Sequence, residues 1–335
     1  MSIPLMMRAM VLEKKSHSLT LKQIPVPSPG TGQILIKVKV CGVCRTDLHI
    51  VDGELPDPKL PLVPGHEVIG QVVTLGPGCA IFSEGDVVGV AWLGYTCNSC
   101  EFCLHGSENL CDKALFTGYT LDGGFAEYIL ANEGYCYPIP TGYANAAGAP
   151  LMCAGLIGYR SYQMISSFSE TIGFYGFGAA AHILVQIAVA QKKKVFAFTR
   201  EGDRNAQSFA LESGAVWCHG SETQAPEKLD AALIFAPAGN LVPKALTDIR
   251  KGGTVVCGGI HMSDIPSFPY RLLWGEKTLR SVANLTRKDG IGFFETIDSI
   301  PVQTETKIFP LEMANSALEQ LRSGGIRGAA VLEIG

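Results

Sequence analysis

No apolar run in this sequence is long enough to cross a bilayer: each hydrophobic stretch is interrupted well short of the roughly 20 residues a spanning helix needs. There is no basic or acidic block either, since 27 Lys and Arg stand against 31 Asp and Glu, giving a formal net charge of −4. Polynucleotide binding requires Lys and Arg gathered on one face, so a nucleic-acid partner is not expected. The one short cluster, Lys192-Lys193-Lys194, precedes a strand-like run and reads as a solvated turn. The N-terminal stretch Met1–Arg8 is too short for the apolar core of a signal peptide and is interrupted by Pro4 and Arg8. Internal repeats and low-complexity linkers are also missing. These absences argue against a membrane role and point to the cytoplasm. Cysteine, by contrast, is plentiful: 11 thiols without an export signal suit a reducing compartment, where they serve metals or cores.

Four of those thiols are close together. Cys97, Cys100, Cys103 and Cys111 follow the spacing C-x2-C-x2-C-x7-C on a polar, loop-like segment, which is what a tetrahedral Zn²⁺ site needs. Disulfides are the alternative, but a C-x2-C pair closes a very small ring. A closed four-thiolate shell leaves no position for a substrate. The motif therefore implies a structural zinc, with the chemistry placed elsewhere. His105 lies inside the same loop, but four thiolates already fill the shell.

At 335 residues the chain exceeds the size one core usually serves, so two domains are expected. The first half is rich in Gly, Pro and β-branched residues. Gln33–Val40 alternates apolar with polar at period two, the mark of a half-buried strand. Turn signals recur at Pro27–Gly30, Gly76–Gly78 and Asp122–Gly124. Residues 1 to about 150 thus read as mainly antiparallel β. After Pro150 the pattern changes. Strand-like runs at Thr171–Tyr175, Val195–Phe198, Ala231–Phe235 and Gly253–Cys257 alternate with helical spacing, as at Ala179–Ala190. That order predicts a doubly wound parallel sheet. Beyond about Leu285 the character shifts again, with a helix expected over Leu311–Leu321 and a final strand over Ala329–Ile334.

The segment Gly173–Ala181 closes a strand and opens a helix. Within it Gly176-x-Gly178-x-x-Ala181 fits the dinucleotide fingerprint in its G-x-G-x-x-A form. Gly176 would permit the tight turn, and Gly178 would let a pyrophosphate approach the helix N-terminus. A glycine turn that binds no nucleotide is the plainer alternative. The end of the next strand bears on which dinucleotide is bound. Where an NAD site expects a carboxylate, this chain has Thr199 and Arg200, with Arg204 nearby. A hydroxyl and guanidinium groups suit a 2′-phosphate, which favours NADP(H). Glu201 and Asp203 are near enough to keep NAD(H) open.

Three further pieces carry residues of metal-binding type: Cys41–His49, Gly65-His66-Glu67 and, much later, Leu151–Gly155. Singly, each would be taken for core packing. Together with the four-cysteine loop and the nucleotide fold they closely resemble the zinc-dependent medium-chain alcohol dehydrogenases, and within them the cinnamyl-alcohol-dehydrogenase-like branch. The resemblance runs nearly end to end. It implies an α/β chain with a GroES-like, mainly antiparallel β catalytic domain at 1–152 and 285–335. A Rossmann doubly wound parallel-sheet cofactor domain would occupy 153–284, with substrate and zinc in the cleft between. It also implies a catalytic zinc on Cys44, His66 and Cys153, making two zinc ions per chain. That Cys₂His set is known from alcohol dehydrogenases and is adopted here by likeness.

In the same way the resemblance places Asp47 on the outer nitrogen of His66 and Glu67 behind the metal. Thr46 would stand beside the alcohol oxygen, with His49 at the end of a proton path through the cofactor ribose. Arg45 and Arg327 would contact the pyrophosphate, and Ile50, Val51 and Trp92 would line the substrate pocket. The expected reaction is hydride transfer between an alcohol or aldehyde and NADP(H), in a homodimer or homotetramer. Two alternatives remain: a non-catalytic zinc and nucleotide binder, and a dehydrogenase of the same fold acting on another substrate with NAD(H). Intact Thr46 and His49 speak against the first, since a binder needs no proton path. Cys41, Cys79, Cys136, Cys218 and Cys257 have no partner at metal spacing and read as packing residues. His261 follows a cofactor-domain strand, where it could approach the nicotinamide or cap a loop.

Overall fold

The computed structural model describes residues 3–13 and 17–335; Met1 and Ser2 of the N-terminal stretch, and residues 14–16, lie outside the described residues. The chain divides into two units. One comprises Met1–Cys153, Thr286–Phe294 and Thr304–Gly335; the other comprises Ala154–Leu285 and Glu295–Gln303.

The first unit is a β structure. Strands β1 (Met6–Leu12) and β2 (Leu19–Pro25) form an antiparallel pair. They are followed by β3 (Gln33–Val43), helix α1 (Arg45–Val51), β4 (Glu67–Leu75), β5 (Val87–Val90) and β6 (Leu93–Tyr95). Then come the short helix α2 (Glu101–Leu104), β7 (Leu115–Phe116), β8 (Tyr128–Asn132) and β9 (Cys136–Pro138). The central sheet adds two strands from the C-terminal stretch, β16 (Thr306–Pro310) and β17 (Ala329–Glu333), in the order β16-β17-β3-β4-β5-β9, with β8 also paired to β3. Every pairing in it is antiparallel except β16 with β17.

β3 is more deeply buried than its alternating pattern suggested. Ile34, Leu35, Ile36 and Val38 are at most 1% exposed. The reason is its place: β3 lies mid-sheet between β4 and β17, and its residues belong to the main apolar core of this unit. The expected helix over Leu311–Leu321 is divided. A 3₁₀ turn at Leu311–Met313 precedes a helix over Ala314–Arg322, in keeping with the tighter turns common at helix N-termini.

The second unit is the expected parallel sheet. After α3 (Ala154–Gln163) come β10 (Thr171–Tyr175), α4 (Ala179–Ala190), β11 (Lys194–Thr199), α5 (Arg204–Glu212) and β12 (Trp217–Gly220). The second half supplies β13 (Leu229–Ile234), α6 (Leu241–Asp248), β14 (Ile249–Cys257) and β15 (Thr278–Ser281). Strand order is β12-β11-β10-β13-β14-β15, all parallel. Strands covered on both faces need continuous apolar runs, and β10, β11 and β13 supply them. The order reverses beside β10. Open α/β sheets bind ligands at such a switch point, beyond the carboxyl ends of the strands.

Candidate active site and metal centres

Sheet register explains how residues far apart in sequence meet. Gly42 of β3 lies opposite Glu67 of β4, so Cys44, just past the end of β3, faces His66, just before β4. Cys44 Sγ lies 3.1 Å from His66 Nε2. Cys153 follows a 3₁₀ helix, Ala146–Met152, whose last five residues are buried. One donor atom from each of Cys44, His66, Glu67 and Cys153 falls within 4.8 Å of the others. Glu67 reaches this cluster because residue 42 is glycine: a Cβ there would stand 1.8 Å from the carboxylate oxygen Oε2.

Helix α1 organises the rest. Cys44 is its N-cap; its sulfur accepts from the Thr46 amide at 3.3 Å. Asp47 Oδ2 accepts from the Cys44 amide at 2.9 Å, closing a capping box. The other carboxylate oxygen, Oδ1, accepts from the Gly65 amide at 3.2 Å and stands 3.3 Å from His66 Nδ1. That last approach is close enough for an ion pair, yet its angle leaves Nδ1 without a proper hydrogen bond. Thr46 is buried, and His49 pairs with Glu54.

The donors of this cluster shift one another's ionisation. Burial pushes the Glu67 carboxyl well above its usual range, and the negative Cys44 reinforces the shift. The hydrogen bond from Cys153 holds the Cys44 thiol well below its ordinary value, and the same bond raises Cys153. Burial alone would lower His66, but negative Cys44 and Asp47 outweigh it and carry it well above the ordinary imidazole value. The two thiolates and the carboxylate crowded in this buried space repel one another when ionised, and a divalent ion removes that cost. Cys₂His donors suit zinc at a site with a position left for substrate.

The four-cysteine loop has a different geometry. Its sulfur–sulfur separations include 3.5 Å for Cys100–Cys103, 3.6 Å for Cys97–Cys111 and 3.9 Å for Cys97–Cys103. A disulfide would need about 2.0 Å, whereas the edge of a tetrahedral ZnS₄ unit is about 3.8 Å. The thiols therefore fit the metal and exclude the disulfide alternative. The Ser99 amide, with neighbouring donors, lowers Cys97 to about 6, so one sulfur is already predisposed to ionise.

In the parallel-sheet unit, Gly176 has φ +91° and packs so closely that a Cβ would meet the Ala236 amide nitrogen at 2.7 Å. Gly178 caps α4, and nothing lies within 4 Å of where its Cβ would point. Ala181 is fully buried, as the close helix–sheet packing of the fingerprint requires. The end of β11 is less uniform than expected. Thr199 is buried and its hydroxyl donates to the Arg200 carbonyl at 3.1 Å, so it faces backbone. Arg200 and Arg204 are exposed. In the other unit Arg45 is exposed, and Arg327 is ion-paired to Glu305 at 2.7 Å.

Trp92 stands edge-on to His66, with ring centroids 5.0 Å apart. Phe116 and Tyr119, which sequence reasoning missed, stack on it at 5.3 and 5.6 Å. Aromatics three apart just after the cysteine loop were the only signal for them. Ile50 and Val51 belong to the apolar core of their unit. His261 is exposed.

A parallel sheet with a glycine turn at its switch point, joined to a β unit carrying two cysteine-rich clusters, defines an α/β oxidoreductase of the dehydrogenase class. The family model of the alcohol dehydrogenase GroES-like domain matches residues 30–141. The chain is 42% identical over 316 residues to a probable alcohol dehydrogenase, AdhA, of Mycobacterium tuberculosis, covering 92% of this chain and 91% of that protein. It is 35% identical to an alcohol dehydrogenase of Moraxella sp., covering 98% and 99%. The chain belongs to the medium-chain zinc alcohol dehydrogenase family. Among solved structures, acetophenone reductase from Geotrichum candidum, in complex with NAD, matches with TM-score 0.87 at 27% identity, covering 99% of this chain and 98% of that one. A cinnamyl alcohol dehydrogenase of Sorghum bicolor matches with TM-score 0.88 at 24% identity, covering 98% and 97%; this likeness is one of fold. A cinnamyl-alcohol-dehydrogenase-like branch is compatible with it. Among the described residues no helix is long and apolar enough to cross a membrane.

Proposed function

We propose that this alcohol dehydrogenase interconverts small alcohols with aldehydes or ketones using NADP(H), at a zinc held by Cys44, His66 and Cys153. The carrying observation is the convergence of these donors and Glu67 within 4.8 Å, directly at the start of the helix that bears Thr46 and His49. When bound, zinc supplies a Lewis acid that lowers the pKa of an alcohol, and nicotinamide exchanges the hydride. The protein's own groups do the remaining work. Cys44 and Cys153 bring negative charge that moderates the cation. Asp47, 3.3 Å from His66 Nδ1, places a negative charge behind the imidazole. Thr46 takes the alcohol proton, and His49 passes it on, with Glu54 beside it. Trp92, Phe116 and Tyr119 offer a flat apolar wall next to His66, which suits an aromatic or branched substrate. Cys97, Cys100, Cys103 and Cys111 would hold a second zinc, which would fix the shape of their loop.

NADP(H) is preferred over NAD(H) on the strength of Arg200 and Arg204, exposed at the end of β11 where the ribose 2′ substituent is read. Gly176, Gly178 and Ala181 serve the pyrophosphate turn. Arg45 and Arg327 are the further candidates for the phosphates; Arg45 is exposed and Arg327 is ion-paired to Glu305. The chain works as a homodimer or homotetramer: among the described residues β15 is an edge strand of its sheet, and Tyr270 and Trp274 just before it are 69% and 64% exposed. A cytoplasmic setting accords with the 11 cysteines, each of them a free thiol.

A panel of aromatic and aliphatic aldehydes, assayed with NADPH and with NADH alongside metal analysis, tests the reading. Turnover should be found with about two zinc ions per chain, as expected for one closed and one open site. A fully active protein with a single zinc would overturn the two-site assignment. Replacing Thr199 with Asp together with Arg200 by Gly should move the NADPH/NADH ratio of kcat/KM toward NADH by roughly tenfold or more, through loss of a phosphate partner and gain of a like charge. An unchanged ratio would refute the role given to this strand end.

A further inference from the structure

Two carboxylates stand close to the end of β11, where a 2′-phosphate would be bound, and a like charge there opposes binding. Both are held by backbone amides. Asp203 caps α5, its Oδ1 accepting from the Ala206 amide at 3.0 Å. Glu201 turns sideways instead, and its Oε1 accepts from the Glu222 amide at 3.0 Å. What makes that turn feasible is the neighbouring strand. Gly220, the last residue of β12, is buried and pairs with Thr199. The Glu201 carboxylate occupies the space where a side chain at 220 would be: a Cβ there would lie 2.0 Å from Oε1 and 2.1 Å from Oε2. The Ser221 amide donates to the Thr199 carbonyl at 2.8 Å, and the Gly176 amide to the Phe198 carbonyl at 2.8 Å. The notch is therefore tied to the strand end that the glycine turn adjoins.

We propose that Gly220 is a positioning residue for cofactor choice: its missing side chain opens a notch that draws the Glu201 carboxylate against β12 and off the 2′-phosphate of NADP(H). Arg200 and Arg204 then meet the phosphate with the Glu201 carboxylate held aside, while Asp203 stays engaged by its cap on α5. This rests on the NADP(H) reading above. Gly220 touches no cofactor itself; it acts through Glu201. A Cβ at 220 displaces only the far end of a flexible side chain, so its main consequence is eviction of the charge toward the strand end.

The test compares dissociation constants for NADPH and NADH, read by quenching of protein fluorescence, and kcat/KM for each, in wild type and variants. Gly220→Ala should weaken NADPH relative to NADH by roughly tenfold, the scale of one partly screened charge moved near a phosphate. Adding Glu201→Gln to Gly220→Ala should restore most of the NADPH affinity, because the evicted group then carries no charge. A second pair leaves Gly220 untouched. Glu201→Asp is too short to reach the notch and should weaken NADPH, whereas Glu201→Asn, equally short but neutral, should not. A purely structural role would move Asp and Asn together, or leave Gly220→Ala unrescued by Gln, and either result overturns the proposal. The wild-type NADPH/NADH ratio tests the NADP(H) reading separately, since the Asp-versus-Asn difference exists whichever cofactor the wild type prefers.

Discussion

Cys44→Ser should reduce alcohol oxidation by about three orders of magnitude or more while one zinc per chain stays bound, since a Lewis acid contributes several kcal/mol to a developing alkoxide. Serine is chosen because Cys44 has two roles. Its sulfur is a donor of the buried cluster and also caps α1 by accepting from the Thr46 amide. Alanine would lose both, and a lost cap costs about 1 kcal/mol by itself. Serine keeps a cap acceptor but replaces a soft thiolate with a hydroxyl that does not ionise at neutral pH. Cys153→Ala is the independent control, since Cys153 caps no element of α1. Both variants should hold about one zinc by metal analysis, retained on Cys97, Cys100, Cys103 and Cys111, whose shell includes none of the altered residues. Retained turnover in either variant would refute the catalytic set, and loss of both zinc ions would show that the two sites are not independent.

The contrast between those two sites shows what a sequence discloses. The four-cysteine loop was legible because its donors are local: spacing alone brings Cys97, Cys100, Cys103 and Cys111 within reach of one ion. The other donors are not local. Cys44 and His66 are 22 residues apart and meet only because β3 and β4 pair in one register, which itself shifts at two points along the ladder. No periodicity in the sequence specifies those shifts, so this cluster came into view through family resemblance. The parallel-sheet unit was easier to read, because buried parallel strands need unbroken apolar runs and β10, β11 and β13 are each followed by a helix. The antiparallel unit was legible as a class of fold but not as an order of strands. Hidden altogether were contacts made by side chains that turn back on the fold. Tyr119 stacks on Trp92 from a separate loop, and Glu201 reaches from the turn after β11 into the space beside Gly220. Thr199 illustrates the same limit, since the strand position was read correctly while the direction of its hydroxyl was set by packing.

Thr46→Val should lower kcat by about two to four orders of magnitude at neutral pH, the range expected when a positioned proton acceptor is removed. The substitution is nearly isosteric, and the backbone of Thr46 is fixed independently by the hydrogen bond its amide donates to the Cys44 sulfur. Helix α1, the cap and the metal content should therefore survive, with about two zinc ions still bound as the closed and open sites require. KM for the alcohol should change far less than kcat, since the lost contact matters most when the proton moves. Thr46→Ser keeps the hydroxyl and should recover most of the activity, which separates proton transfer from packing. The loss should be of similar size for alcohol oxidation and aldehyde reduction, because the same hydroxyl takes the proton in one direction and returns it in the other. His49→Gln should cost less. His49 is 14% exposed and its partner Glu54 is 53% exposed, so solvent can reach that end of the path and substitute for it. Thr46 sits deeper, at 8%. A Val variant with near-normal kcat, or a His49 variant more damaged than it, would reverse the order of the relay.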